Sequence, residues 1–310
     1  MDFHHVSVMA DEVLEILEVK PNGIYLDCTL GGGGHSLRIG KFLSSEGFLI
    51  GIDRDEEALT AAKKILSNLS CKVELAHGNF SELEKILSNL GIEKIDGAIF
   101  DLGVSSHQID TAERGFSYIQ DSKLDMRMDR QQSLTAFEVV NSYSEERLAK
   151  IFHDYGEERF SKKIAKAIVE ARKIFSVETT GELVKIIEKN VPHTKNGGHP
   201  AKRIFQAIRI EVNGELGILN SSITSAVRHL KVGGRIAVIT FHSLEDRLVK
   251  NTFKNLAQGC ICPKNFPVCV CGHKPEIKIL GKALTATEEE LNKNSRSKSA
   301  KLRAAEKIEN

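Results

Sequence analysis

Residues 24–36 read Ile24-Tyr25-Leu26-Asp27-Cys28-Thr29-Leu30-Gly31-Gly32-Gly33-Gly34-His35-Ser36, an apolar run followed by four glycines. The apolar run from Ile24 to Thr29 predicts a strand, the glycines predict a turn, and the spacing from Ser36 to Leu43 predicts a helix. Apolar runs at 48–53, 73–76 and 95–101 predict three more strands, with helices at 56–69 and 83–90 between them. This alternation is typical of a parallel, doubly wound α/β sheet with right-handed crossovers.

The pattern changes after the fourth predicted strand. Residues 106–214 show helical periodicity and polar loops without a convincing apolar strand. A helix at about 215–229, a turn at 231–234, a strand at 235–240 and a helix at 244–255 then restore the alternation. We therefore predict one discontinuous domain, residues 1–105 and 216–310, with an inserted helical domain at 106–215 that covers the pocket of the sheet.

Length and composition narrow the class of protein. The chain has 310 residues, of which 41% are hydrophobic and 27% charged, with only six prolines, as expected of a globular protein that folds alone. The first 20 residues carry five acidic side chains and no signal-peptide core, and no apolar run approaches the roughly 18 residues of a membrane span. We therefore expect a cytoplasmic protein without a membrane partner. The net charge of +1 leaves local basic patches open.

The glycine turn has an acidic partner about twenty residues later. Asp53 ends the second predicted strand, where a carboxylate can accept hydrogen bonds from both hydroxyls of a ribose, although Asp55 lies close by. The dinucleotide fingerprint G-x-G-x-x-G fails, because its third glycine falls on Ser36 or Leu37. S-adenosylmethionine has a ribose but no phosphate, so the pattern favours this methyl donor over NAD. The alternative is that the four-glycine turn only connects the strand to the helix and binds no ligand.

Asp101 ends the fourth predicted strand, at the edge of the sheet where ligands of open α/β sheets bind. Methyl transfer from a sulfonium is an in-line displacement, so the enzyme mainly has to position the acceptor atom. A cytosine amine that donates to a carboxylate has its lone pair better localised, and its proton becomes acidic after attack. Asp101 can therefore act on such an amine, or it can cap the following loop or bind the cofactor.

Six further patterns together resemble one family. They are Leu30–Ser36, Asp101–Ser106, Ala112–Ser117, Leu124–Asp129, Thr240–Arg247 and Ser299–Arg303. In this order they are similar to the RsmH (MraW) family, the 16S rRNA cytosine-N4 methyltransferases, and the similarity runs from His5 to the tail. The resemblance implies a Rossmann-like class I methyltransferase sheet, S-adenosylmethionine as cofactor, and a cytidine N4 amine in the decoding region of the small ribosomal subunit as acceptor.

By the same resemblance, the family's cofactor contacts fall on seven residues: Gly33, Gly34, His35, Asp53, Phe80, Asp101 and Gln108. Phe80 is placed to pack on adenine, although most phenylalanines in such a sheet belong to the core. His35 either fixes the loop or touches the ligand. Gln108 is placed to hydrogen-bond the methionine moiety.

Several groups are candidates to hold the target amine, because Asp101 precedes Leu-Gly-Val where many amino-methyltransferases have Pro-Pro-aromatic. The candidates besides Asp101 lie in the inserted segment and after the fifth strand: Ser105, Ser106, Asp125, Arg127, His242, Ser243, Glu245 and Asp246. We select Ser105, Asp125 and His242 from this set, together with Asp101, as the catalytic candidates. For His242, capping of the following helix is the alternative.

A basic segment in the predicted insertion is a candidate RNA contact. It carries Lys185, Lys189, Lys195, Lys202, Arg203 and Arg209 against Glu188, with His193 and His199 in a glycine-containing loop. Such an excess of positive charge suits contacts with phosphate groups. The alternative is a helix face that is exposed to solvent and has no binding role. The basic tail from Asn292 is a second candidate for contact with 16S rRNA. The sequence leaves open whether the chain forms a homodimer.

Four cysteines form two C-x-C pairs: Cys260, Cys262, Cys269 and Cys271. Zinc sites usually space each pair by two to four residues, so we expect reduced thiols and no metal, with a metal site as the alternative. Cys28 and Cys71 are expected to be buried as small apolar residues.

Two other functions compete with the methyltransferase prediction. An NAD-linked dehydrogenase conflicts with the broken fingerprint, and a non-catalytic RNA-binding or metal-ribbon protein leaves the glycine turn, Asp53 and Asp101 without a role. Thermal stabilisation by S-adenosylhomocysteine but not by NAD would separate them.

Overall fold

The computed structural model describes residues 7–191, 198–260, 262–263, 268 and 270–309. The chain forms two compact units. The first runs to Gly103 and resumes at Leu216, and the second is Val104–Glu215. No helix in the described part of the chain is long and apolar enough to span a membrane.

The first unit is built on one mixed sheet. Its strands are β1 (Ile24–Asp27), β2 (Phe48–Asp53), β3 (Lys72–His77), β4 (Ile95–Asp101), β5 (Leu230–Thr240), β6 (Ile277–Ile279), β7 (Leu284–Thr285) and β8 (Lys301–Lys307). Their order is β3-β2-β1-β4-β5-β8-β6, with β7 also paired to β8. Strands β1 to β5 pair in parallel, and β8 is antiparallel to its neighbours. The predicted α/β class is confirmed, and the order reverses between β1 and β4.

The helices follow the chain in three groups. The first unit begins with α1 (Ala10–Leu17), α2 (Gly34–Gly40), α3 (Glu56–Leu66) and α4 (Leu83–Asn89). The second unit contains α5 (Ser106–Asp110), α6 (Ala136–Ser142), α7 (Glu145–Asp154), α8 (Ser161–Arg172), α9 (Thr180–Asn190) and α10 (Ala201–Asn213). The first unit then continues with α11 (Leu219–His229), α12 (Ser243–Leu256) and α13 (Glu288–Lys293). Short 3₁₀ turns lie at Phe80–Glu82, Ala112–Arg114 and Ser295–Ser299.

Both faces of the sheet are covered. Leu26 and Phe100 belong to one buried apolar cluster, while their strand neighbours Tyr25 and Ile99 belong to another. Successive side chains of a strand point to opposite faces, so this division places a core on each side of the sheet. The near-continuous burial of β2 and β4 is the reason these strands read as apolar runs in the sequence.

The second unit has its own core of helix side chains, including Phe152, Ile164, Leu183 and Ile208. Among its described residues the only β pairing is an isolated bridge between Lys123 and Thr179. The helical character expected for residues 106–214 is therefore confirmed for 106–191 and 198–214, the part that the structure describes.

The structure differs most from the sequence interpretation at the fifth strand and in the tail. The fifth strand begins at Leu230 and not at Arg235, because Leu230 already pairs with Ile95 and a register shift between Ile95 and Gly97 absorbs the intervening residues. The predicted turn at 231–234 is therefore an irregular part of the strand. The polar tail contains β8, whose Leu302, Ala304 and Ala305 are buried against the sheet.

Candidate active site

The carboxyl ends of β1, β4 and β5 lie side by side in the sheet. Asp27 ends β1, Asp101 ends β4, and Asp101 is the register partner of Ile239 near the end of β5. In open α/β sheets, ligands bind at this edge where the strand order reverses. His35, in the first turn of α2, places Nε2 3.4 Å from Asp101 Oδ2. Asp101 therefore lies at the carboxyl edge of the sheet in the first unit, and its role as a site residue stays a prediction.

Three buried polar atoms at this edge lack a hydrogen-bond partner within the described residues. They are His35 Nε2, Asp101 Oδ1 and His242 Nε2, and they belong to residues at or just beyond the ends of β1, β4 and β5. The His35 and Asp101 side chains are near enough to interact electrostatically, but the alignment of their atoms is not that of a hydrogen bond. An unpaired buried polar group costs about 1–3 kcal/mol. The edge is therefore prepared for a polar ligand.

His35 and Asp101 form an electrostatic pair. The His35 side chain is 6% exposed and that of Asp101 is 19% exposed. Burial lowers the pKa of His35, but the neighbouring Asp101 carboxylate raises it by more, so the net pKa lies above its ordinary value. The geometry that raises the pKa of His35 places its Nε2 next to one carboxylate oxygen of Asp101 and leaves the other oxygen toward the edge of the sheet.

Asp27 is a buried acid that the sequence analysis did not select. Its Oδ2 accepts a hydrogen bond from Ser36 Oγ at 2.7 Å, and its Oδ1 accepts one from Thr29 N at 3.1 Å. Burial raises the pKa of this carboxyl to about 6, against the lowering effect of the Ser36 hydrogen bond. A charged residue ending the strand that precedes the glycine turn was the available signal.

The glycine turn is tied to the acid at the end of β2. Gly31 N donates to Asp53 Oδ2 at 2.7 Å, and Asp55 N donates to Asp53 Oδ1 at 2.9 Å. Burial raises the pKa of Asp53. Asp55 is buried and caps α3 by accepting from Glu57 N, which leaves Asp53 as the better candidate for a ribose.

Two of the predicted glycine contacts also have packing reasons. Gly33 has φ +82°, and a Cβ there would lie 3.2 Å from Ala62 Cβ. A Cβ on Gly34 would collide with Ser7 Oγ. Glycine at these positions is therefore required by the close approach of other segments, and their contact with a cofactor stays a prediction.

The residues at this edge fit S-adenosylmethionine. Asp53 is a partly exposed carboxylate for the ribose hydroxyls, and Asp101 Oδ1 is an unpaired acceptor for an N–H donor, such as the ammonium group of the methionine moiety or a substrate amine. Phe80, by contrast, is 7% exposed and packs edge-to-face on Phe100, with ring centroids 5.6 Å apart. The core role accounts for its burial, and its contact with adenine stays a prediction.

The predicted residues at the start of the second unit form a helix cap. Ser105 Oγ accepts from Gln108 N at 3.2 Å, and Gln108 Oε1 accepts from Ser105 N at 3.1 Å. This reciprocal capping box fixes both side chains at the start of α5. Their proposed contacts with substrate and cofactor therefore have to coexist with a local structural role.

Asp125 forms a two-bond ion pair with Arg127 in the second unit. Arg127 Nε donates to Asp125 Oδ1 at 2.9 Å and Nη2 donates to Oδ2 at 2.8 Å. Burial raises the pKa of Asp125, but Arg127 lowers it by more, so the net pKa lies below the ordinary value. This pairing makes Asp125 a weak proton acceptor and favours a role in shaping its loop.

His242 caps α12. Its Nδ1 accepts from Glu245 N at 3.4 Å, and the Glu245 carboxylate accepts from the backbone N–H groups of Phe241 and His242. Its Nε2 lies 3.0 Å from Glu245 Oε1 without the alignment of a hydrogen bond. The structure thus gives His242 the cap that the sequence offered as an alternative, and leaves Nε2 at the ligand edge.

The basic segment divides into exposed and internally paired side chains. Lys185, Lys189, Lys202 and Arg203 are exposed, whereas Lys195 and His193 lie outside the described residues. Arg209 is only 14% exposed and forms a two-bond ion pair with Glu215. Arg209 therefore serves the internal structure of the second unit and is unsuited to phosphate contact.

The basic tail contributes to a cleft in the first unit. Lys250, Lys254, Lys282, Lys301 and Arg303 are among the residues that line it. Asp246 accepts hydrogen bonds from Lys301 and Arg303 at 3.1 and 2.7 Å, which neutralises part of the positive charge of the cleft.

Cys28 and Cys71 are buried, as the sequence analysis predicts.

Known proteins that resemble this chain share its whole length. A sequence profile of the MraW methylase family matches residues 2–308. The Ribosomal RNA small subunit methyltransferase H of Clostridioides difficile (strain 630) is 53% identical over 311 residues, which cover 99% of this chain and 100% of the relative. The protein of the same name from Clostridium botulinum (strain Kyoto / Type A2) is 55% identical over 310 residues with the same coverage.

A solved structure of a rRNA methylase from Streptococcus thermophilus aligns over 97% of this chain and 94% of its own length. Its TM-score is 0.41 at 13% identity, which is too distant a likeness to support an argument. The full-length profile match and the high identity of the relatives confirm the resemblance carried by the six motifs. The chain belongs to the MraW methylase family, and it is a methyltransferase whose methyl donor is S-adenosylmethionine.

Proposed function

We propose that the chain transfers a methyl group from S-adenosylmethionine to the exocyclic N4 amine of a cytidine in 16S rRNA, in the decoding region of the small ribosomal subunit. The chain is an rRNA methyltransferase by its similarity to full-length relatives of that name. The observation that supports amine methylation is the buried Asp101 Oδ1 at the switch point of the sheet, which has no hydrogen-bond partner in the described residues. An amine N–H donates a hydrogen bond to such an acceptor before attack, whereas a ring C–H does not.

The chemistry requires little beyond positioning. S-adenosylmethionine supplies an electrophilic methyl group on a sulfonium. The acceptor nitrogen attacks in line, the S–C bond breaks as the N–C bond forms, and one proton then leaves the nitrogen. Asp101 accepts an N–H hydrogen bond before attack and takes or relays that proton afterwards. The neighbouring His35, whose Nε2 lies 3.4 Å from Asp101 Oδ2, positions Asp101 for this role.

Asp53 holds the donor through its ribose. The Gly31 N–H fixes the Asp53 carboxylate and the glycine turn to each other, so the acid and the loop are positioned before any ligand binds. We extend the proposal to contacts of the donor with Gly33, Gly34, Phe80 and Gln108.

The second unit is proposed to recognise RNA. Its exposed Lys185, Lys189, Lys202 and Arg203 supply phosphate contacts, and the cleft lined by Lys301 and Arg303 supplies others in the first unit. Chemistry on a base requires that the base be unstacked, so these contacts position a single-stranded or flipped cytidine. A ribosomal substrate also implies a cytoplasmic location. A homodimer stays a prediction that light scattering on the purified chain would test.

Incubation with radiolabelled S-adenosylmethionine and small subunits from cells that lack this activity tests the proposal. We expect label in N4-methylcytidine of 16S rRNA, and no label with Asp101→Ala. A parallel reaction on protein-free 16S rRNA identifies the preferred substrate. Absence of label from both substrates, with S-adenosylhomocysteine still bound, would contradict the ribosomal assignment.

A further inference from the structure

The described residues between α12 and β6 have little apolar anchoring. No regular secondary structure is assigned to them. Val268 and Val270 are 69% and 74% exposed, so burial of these two apolar side chains does not hold this part of the chain in place.

Three thiols of the segment come together in space. The Sγ atoms of Cys260, Cys262 and Cys271 all lie within 4.8 Å of one another. Cys260 Sγ and Cys271 Sγ are 3.7 Å apart. Zinc–sulfur bonds of about 2.3 Å in a tetrahedron place two sulfurs about 3.8 Å apart, whereas a disulfide requires about 2.05 Å. The spacing therefore matches two ligands of one metal ion and not a disulfide.

Backbone N–H groups are directed at two of these sulfurs. Val270 N donates to Cys262 Sγ, and His273 N donates to Cys271 Sγ, each at 3.4 Å. Hydrogen bonds of this kind orient the ligands of a metal site. The imidazole of His273 is directed elsewhere, because its Nδ1 lies 2.9 Å from Gly259 O. The candidate ligands in the described residues are therefore the three cysteine sulfurs, and Cys269 lies outside the described residues.

We propose that Cys260, Cys262 and Cys271 bind a zinc ion that holds the α12–β6 connection in place. Thiolates are soft ligands that select zinc over magnesium or calcium, and three of them occupy three of the four positions of a tetrahedral ion. The C-x-C spacing of Cys260 and Cys262 is shorter than usual for zinc. The structure nevertheless brings the sulfur of Cys271 next to both of them. This inference is independent of the RNA substrate.

Zinc analysis of the full-length chain, purified under reducing conditions without chelator, tests the proposal. We expect about one zinc ion per chain, and little or none in a Cys260→Ser/Cys271→Ser double variant. Cys71→Ser, which removes a thiol outside the cluster, should keep the metal. Replacement of zinc by cobalt(II) should give the charge-transfer and ligand-field bands of a tetrahedral cobalt–thiolate centre in the wild type and in Cys71→Ser, but not in the double variant.

Binding of S-adenosylhomocysteine shows whether each variant is folded, so loss of metal can be separated from loss of structure. The proposal fails if the wild type contains no zinc and the zinc-free chain develops no cobalt–thiolate bands. It also fails if the double variant retains the metal, or if thiol titration finds Cys260 and Cys271 joined as a disulfide in the freshly reduced and repurified protein.

Discussion

His35 Nε2 lies 3.4 Å from Asp101 Oδ2, and the other carboxylate oxygen of Asp101 is buried without a hydrogen-bond partner in the described residues. His35 lies in the first turn of α2, which follows β1, and Asp101 is the last residue of β4. The sheet order reverses between these two neighbouring strands. One oxygen thus faces the imidazole of His35 and the other remains for a ligand. Most of the predictions below depend on this arrangement or on the residues that support it.

Asp101→Asn tests the acceptor at the centre of the site. The amide keeps the size of the side chain but loses the negative charge that holds the amine, so we expect kcat for methyl transfer to fall by at least about 100-fold. Binding of S-adenosylhomocysteine, measured by calorimetry, should change much less than kcat. An equal loss in both quantities would reassign Asp101 to cofactor binding.

Asp53→Asn tests the ribose acid. The variant keeps an oxygen for Gly31 N–H but loses the charge on the acceptor, so we expect the Kd for S-adenosylhomocysteine to rise by about 10-fold. Asp55→Asn is the matched control, because asparagine caps a helix as well as aspartate does and α3 should be unaffected. If the control weakens binding as strongly as Asp53→Asn does, the ribose assignment is wrong.

Asp27 makes stability depend on pH. Its pKa is raised from 3.8 to about 6, so its ionisation costs more in the folded protein than in the unfolded chain. Its protonated form therefore favours folding below about pH 4, and this contribution is lost as the pH rises through 6. Relative to wild type, Asp27→Asn should gain up to about 3 kcal/mol in free energy of unfolding between pH 4 and pH 7.

Urea unfolding of both proteins across this pH range measures the difference. A difference in free energy that stays constant with pH would show that Asp27 titrates normally. Asp27→Ser is unsuitable as the comparison, because it would also remove the side-chain volume that Ser36 contacts.

His242→Asn separates the two roles of this residue. Asparagine is a good N-cap, so the stability of α12 should be retained, while any contribution of the imidazole Nε2 to methyl transfer is lost. We expect reduced kcat with unchanged unfolding, whereas His242→Ala should also lose about 1 kcal/mol of stability. Full activity in His242→Asn would limit His242 to capping.

Reversal of two exposed lysines tests the RNA surface. Lys185→Glu/Lys189→Glu should weaken RNA binding and reduce the slope of log K against log salt by about one per lysine removed from a phosphate. Lys63→Glu/Lys64→Glu makes the same charge change on the exposed end of α3 and is the control. Filter binding at several salt concentrations gives both slopes, and equal slopes would show that α9 does not touch RNA.

Much of the architecture could be predicted from local patterns. The β2 and β4 bounds, the helical nature of residues 106–214 and the acids at strand ends follow from apolar periodicity and turn residues, which act over a few positions. The strand β8 was missed because its buried Ala304 and Ala305 are small and its charged residues dominate the composition. Its pairing with β5 joins segments some sixty residues apart, for which a local pattern has no signal.

Local patterns predict the order of β1 to β5, the glycine turn with Asp53, and the family motifs, because these depend on neighbouring residues. Only the folded chain shows which polar side chains are used for other purposes: Ser105, Gln108 and His242 in caps, Asp125 and Arg209 in ion pairs. It also shows that Asp27 is buried and that Cys260 and Cys271 meet at 3.7 Å. Hydrogen-bond partners, burial and pKa are set by atoms that packing brings together from distant parts of the chain, and composition and spacing carry no record of those distances.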